Sequence, residues 1–91
     1  MSEWTDEDDE FLNDVTDEVL SARDRFPGSN LVLAALTEEV GELAQAMLKV
    51  AAGKWPKERI REEAIQVAAM ALRVAIEGDP SFTNYTEPDK T

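Results

Sequence analysis

Cysteine and histidine are both missing from the 91 residues. Without thiols there are neither disulfides nor thiolate metal sites, and without imidazole the chain lacks the usual zinc ligand and the usual proton shuttle near neutral pH. Basic residues are scarce, nine Lys and Arg against twenty Asp and Glu for a net charge of -11, so neither nucleic acid nor anionic membrane is an expected partner. Long apolar runs are absent too, and the N-terminus is acidic where a targeting segment is basic. The expectation is a cytoplasmic protein with no membrane span. The chemistry left to such a chain is that of carboxylates.

The pattern that is present is helical. Thr5 precedes the run Asp6-Glu7-Asp8-Asp9-Glu10, an N-cap followed by acids that the helix dipole favours. Phe11, Val15, Val19, Ala22 and Phe26 follow at spacings of three and four and predict a first helix over 6–25, stopped by Pro27-Gly28. A second helix, capped by Ser29 or Asn30, extends to about Ala52, with Gly53 at its C-terminus. A third begins at Pro56 and runs to Glu77 before Gly78-Asp79-Pro80. Residues 1–78 form one helical domain and 79–91 a polar tail, ordered only where Phe82 and Tyr85 dock. Gly41, inside the second helix, costs about 0.5–1 kcal/mol relative to alanine and points to a close approach or to a tolerated defect.

On a helical wheel Leu36, Val40, Leu43, Met47 and Val50 lie within roughly 40° of one line, a packing stripe. Glu39 stands about 60° to one side, Glu42 about 120° and Glu38 about 160°. Twenty-four residues later Ile60, Ala64, Val67, Ala71 and Val74 repeat the stripe, and Glu62, Glu63 and Gln66 take the places of Glu38, Glu39 and Glu42. Two helices with one pattern, joined at Gly53-Lys54-Trp55-Pro56, are expected to pair antiparallel and set their acids about 6 Å apart along the axis. Glu39, Glu42, Glu63 and Gln66 then form an all-oxygen site suited to Mg²⁺ or Mn²⁺. The plainer alternative makes Glu38, Glu39, Glu62 and Glu63 surface acids paired with Arg59, Arg61 or Lys57.

The third helix has a second apolar stripe, Ile65, Ala69, Leu72 and Ile76, nearly opposite the first. Three helices do not readily cover both stripes, so the expected fold is all-α, with three helices forming a four-helix-bundle core completed by dimerisation. Lys49 and Arg73, bracketing the acids, and Lys54, Lys57 and Arg61 near the turn are candidate phosphate ligands. Trp55 beside Pro56 is expected to cap the core at the turn, with base stacking by Trp55 or Trp4 as the alternative.

Glu38-Glu39-x-x-Glu42, followed by Glu63-x-x-Gln66, resembles the MazG-like branch of the all-α nucleoside triphosphate pyrophosphohydrolases over about residues 31–77. The resemblance implies α-helical dimers or tetramers that use Mg²⁺ to split a nucleoside triphosphate between its α and β phosphates. It makes Glu39, Glu42 and Glu63 metal ligands, and Glu38 a further ligand or the group that orients the attacking water. The chain departs from the pattern at Gln66, where the family usually has Asp; an amide oxygen ligates a metal but brings no charge. Two other functions stay open: a catalytically weakened helical interaction module, and an acidic decoy of a nucleic-acid-binding protein.

Overall fold

The computed structural model describes residues 3–28 and 32–79. Their regular structure is three α-helices of twenty residues each: α1, Asp6–Arg25; α2, Val32–Ala51; and α3, Glu58–Glu77. Among the described residues none of these helices is long and apolar enough to cross a membrane.

The first helix starts and stops where its sequence says. Thr5 accepts from the Asp8 amide while the Asp8 carboxylate accepts from the Thr5 amide at 2.8 Å, a reciprocal capping box. At the other end of the chain pattern, Gly53 takes a φ of +74°, and Lys54 N–H donates to the Lys49 carbonyl while Gly53 N–H donates to that of Val50. This is a Schellman stop, and it ends α2 one residue before the expected Ala52. Pro56 and Lys57 do not open α3 as α-helix; Arg59 and Ile60 donate back to their carbonyls in a tighter preliminary turn. Ser29 and Asn30, the expected caps of α2, lie outside the described residues. From the far end of the domain, the Asp79 carboxylate accepts from Leu33 N–H at 2.9 Å.

α3 is central. α1 and α2 each pack on it and not on each other. The ion pairs Asp14–Arg61 near the helix starts and Arg23–Glu77 near their ends show that α1 runs parallel to α3. α2 runs antiparallel, hinged at 52–57 and tied at its other end by Asp79. Val15, Val19 and Ala69 form the buried cluster, with Phe11, Ile65 and Ala68 against it.

This arrangement corrects the premise about the two stripes of α3. α1 covers Ile65 and Ala69, so three helices do enclose the middle of α3 from both sides; Leu72 and Ile76 remain 39% and 72% exposed. The stripe of α2 is also displaced. Val40 and Met47 are about half exposed, whereas Val32 and Ala46 are buried and Glu39 is half-buried, because α3 sits toward the Glu39 side of the wheel. Phe26, expected on the α1 stripe, follows the helix as its cap and is 64% exposed.

Among the described residues nothing approaches Gly41: a Cβ built there meets no atom within 4 Å. The close-approach explanation therefore finds no partner among the described residues. Gly41→Ala is expected to stabilise the fold by about 0.5–1 kcal/mol, read as a rise in melting temperature of roughly 2–8 °C, since it only removes backbone freedom from the unfolded state.

Candidate metal centre

Glu39 and Glu42 are one turn apart on α2, and the antiparallel pairing brings Glu63 of α3 to them. One carboxylate oxygen from each of Glu39, Glu42 and Glu63 lies within 4.8 Å of the others. The packing that creates this group also isolates it: among the described residues Glu39 Oε2 is buried without a hydrogen-bond partner. An unpaired carboxylate oxygen in such a place is costly unless it is protonated or meets a cation.

The electrostatics agree with the geometry. The Glu39 carboxyl is pushed up to about 7, first by burial, then by the charge of Glu42 and a hydrogen bond with it, then by Glu63 and Glu38. A group whose pKa is raised in the fold favours the folded state when protonated. That contribution is fully present below the ordinary value of 4.5 and is lost as pH rises through about 7. The metal-free protein is therefore expected to lose melting temperature between pH 4.5 and 7, on the order of 5 °C. Glu39→Gln should remove the slope, and so should saturating Mg²⁺. A thermal-melt series showing the same slope in wild type and Glu39→Gln would dissociate Glu39 from it. Glu77, whose pKa is lowered by hydrogen bonds from Arg73 and Arg23, acts in the other direction, its contribution being lost as pH falls below the ordinary range.

The cations distribute themselves around this centre unequally. Arg59 stacks on Trp55 at 4.4 Å and reaches Glu62 at 3.2 Å and Glu63 at 3.6 Å. Among the described residues its Nε nevertheless has no hydrogen-bond partner, so the contact is an ion pair only. The surface pairing considered for Glu62 and Glu63 is thus real for Arg59, and Glu63 takes part in both arrangements. Lys49 is half-buried, its Nζ 6.0 Å from the centroid of the same Trp55 ring. Lys54 is exposed in the turn itself. Lys57 and Arg61 face the α1 side, lining a groove with Glu7, Asp8 and Phe11, and Arg61 pairs with Asp14 at 2.8 Å.

Arg73 has a different place from the one expected. It is 3% exposed, and its guanidinium donates to the carbonyls of Phe26 and Gly28 and to the Glu77 carboxylate. Those donors hold the α1–α2 crossover onto the end of α3, and a phosphate would have to displace them.

Beside the acids a cleft of about 480 Å³ opens between α1 and α2, over α3. Glu39, Gln66 and Arg73 border it, with Ala22, Val32 and Met70 supplying apolar wall and Glu18 and Arg25 the α1 rim. Gln66 thus lines the same cleft as Glu39, and it also borders a second groove with Asp14, Asp17 and Glu62. Sequence reasoning missed the α1 contribution, Glu18 and Arg25, because no local pattern says which side of α3 the first helix takes. The Trp55-x-x-x-Arg59 spacing, one helical turn, was the available sign of the cation stacked at the hinge. Glu38 is exposed on the outer side of the group, and Trp4 is exposed with its indole N–H on Asp9 at 2.7 Å.

Compared with protein-family models, curated proteins and solved structures, the chain matches none.

Proposed function

We propose that the chain is a cytoplasmic, metal-dependent nucleoside triphosphate pyrophosphohydrolase that converts a (d)NTP to the (d)NMP and pyrophosphate, acting as a homodimer or higher homo-oligomer. The observation that carries this reading is the convergence of Glu39, Glu42 and Glu63, with one buried Glu39 oxygen left unpartnered. The family resemblance of Glu38-Glu39-x-x-Glu42 and Glu63-x-x-Gln66 supplies the reaction.

The donor set fits a hard divalent cation: three carboxylates from two helices, with Gln66 nearby as a neutral oxygen donor. Bound there, Mg²⁺ or Mn²⁺ contributes charge neutralisation and Lewis acidity toward the phosphates. The remaining work falls to the chain. Glu39, Glu42 and Glu63 hold the ion, and Glu38, at the solvent side, orients the water and accepts its proton as the oxygen attacks the α-phosphorus. The α–β anhydride bond breaks and pyrophosphate leaves with the bonding electrons. The cleft adjoining Glu39 is of the size that small-molecule sites require and receives the base and sugar.

Gln66 favours a second reading, a scaffold that kept the fold and lost the chemistry, since it removes one negative charge from the site. The discriminating experiment is a panel of common and modified (d)NTPs assayed for pyrophosphate with Mg²⁺ and with Mn²⁺. Release from at least one nucleotide supports the hydrolase. No release above a metal-free control, with a melting temperature that still rises with metal concentration, leaves a metal-binding scaffold. No release and no metal-dependent rise sinks both the enzyme and its site.

A further inference from the structure

Along the α2–α3 hairpin three features follow in one order. The cleft lies at the end away from the hinge, walled by Val32 and Ala35 of α2 and by Met70 and Arg73 of α3. Glu39, Glu42 and Glu63 come next, and beyond them, toward 52–57, stand Arg59, Lys49 and Lys54. Arg59 is one turn, about 6 Å, from Glu63 along α3, and Lys49 is two turns, about 10 Å, from Glu42 on the same face of α2.

The cations at the two ends differ in what they already hold. At the cleft end Arg25 is committed to Glu18 at 2.6 Å, and Arg73 to the crossover carbonyls and Glu77. The hinge end is less committed. The Arg59 side chain is 39% exposed, and its contacts with Glu62 and Glu63, at 3.2 and 3.6 Å, are ion pairs without hydrogen bonds. Among the described residues neither Lys49 nor Lys54 takes part in an ion pair. Trp55 gathers two of these cations: its backbone N–H donates to the Lys49 carbonyl at 3.3 Å, and its ring has the Arg59 guanidinium at 4.4 Å and Lys49 Nζ at 6.0 Å. A ring face fixes a cation without using up its N–H donors. Arg59 also stands in the first turn of α3, where the helix dipole works against a cation and draws an anion.

We infer that Arg59, backed by Lys49 on the same Trp55 ring, is the seat of the leaving pyrophosphate, so that the nucleotide lies along the hairpin with its base in the cleft and its β and γ phosphates toward the hinge. The inference rests on the reaction proposed above and gives it a direction. It also gives a binding role to a residue that the sequence offers only as a surface partner of Glu62 and Glu63. Glu63 links the two sites, since it belongs to the acid group and lies 3.6 Å from the Arg59 guanidinium. An ion held by Glu63 takes over the neutralisation of that carboxylate, and the guanidinium fork turns to phosphate oxygens on the same side. As the α–β anhydride opens, the bridging oxygen keeps the bonding pair, and the charge that grows on the pyrophosphate falls beside Arg59.

The test needs no turnover: binding of Mg²⁺, inorganic pyrophosphate and a nucleoside monophosphate to the full chain, measured by titration calorimetry. With Mg²⁺ saturating, Arg59→Met is expected to weaken pyrophosphate about tenfold or more, while Mg²⁺ and the monophosphate stay within about threefold of wild type. Arg59→Lys keeps the charge without the fork and should fall between them. Lys49→Met, on the other helix, should weaken pyrophosphate several-fold and guards against a misfolded Arg59 variant. Arg23→Met, the same loss of charge at the far end of α1, should leave pyrophosphate unchanged. In turnover, Arg59→Met should raise the inhibition constant of pyrophosphate without moving that of the monophosphate. Equal weakening of both anions, or loss of Mg²⁺ with them, makes Arg59 a support of the acid group and overturns the inference. So does wild-type pyrophosphate affinity in Arg59→Met, or a Mg²⁺-loaded wild type that ignores pyrophosphate. A chain that hydrolyses no nucleotide yet holds Mg²⁺ and pyrophosphate through Arg59 sinks the proposed hydrolysis while the seat stands.

Discussion

Glu39→Ala and Glu63→Ala are each expected to lower metal-dependent pyrophosphate release at least about 100-fold, to the level of the uncatalysed background. Both side chains supply an oxygen to the same group, one from α2 and one from α3, so removing either leaves a two-carboxylate remnant across or along one helix. The two variants should part company in stability. Glu39 carries the buried, unpartnered oxygen and the raised pKa, so Glu39→Ala relieves repulsion and desolvation in the metal-free protein at pH 8 and should melt no lower than wild type. Glu63 is balanced by Arg59, so its removal frees a cation already stacked on Trp55 and changes little. Both variants should lose the rise in melting temperature that Mg²⁺ gives the wild type. Retained hydrolysis in Glu63→Ala would remove α3 from the site and with it the reason to connect the two acidic motifs.

Arg73→Met is expected to be the most destabilising single replacement in the chain, by about 3 kcal/mol, or more than roughly 10 °C in melting temperature. The Arg73 guanidinium joins three pieces of chain: its donors reach the Phe26 and Gly28 carbonyls in the crossover and Glu77 on its own helix, and Glu77 also receives Arg23 from α1. Methionine fills the volume but takes the Arg73 donor from the Phe26 and Gly28 carbonyls and leaves Glu77 with Arg23 as its remaining cationic partner. Arg73→Lys keeps the charge without the planar fork and should recover only part of the loss. If Arg73 served phosphate instead, the pattern would invert, with KM rising several-fold and melting temperature unchanged. Thermal denaturation of the metal-free variants, with KM measured in parallel, separates the two.

The helices themselves were legible from local chemistry. Thr5 with Asp8, the Gly53 stop and the spacing of Val15, Val19 and Ala22 are signals carried within a few residues of one another, and α1 matches its expected bounds at both ends. The meeting of Glu39, Glu42 and Glu63 was legible for a related reason: a short hinge between two helices with the same pattern leaves one compact pairing, and that pairing sets the register. Arg73 shows where such reasoning stops. On the wheel it lies on the same flank as Gln66 and looks like a phosphate ligand; besides Glu77 on its own helix, its acceptors are carbonyls 45 and 47 residues away in sequence.

Composition, helix spacing and the repeated acidic motif alone determine that this is an all-α chain whose only concentrated chemistry is carboxylate. Tertiary structure decided which flank each helix buries. Apolar stripes wide enough to pack in more than one direction leave that choice open, and it was settled by α1 and α2 both seating on α3. Their docking exposes Val40 and Met47, buries Arg73 and opens the cleft beside Glu39.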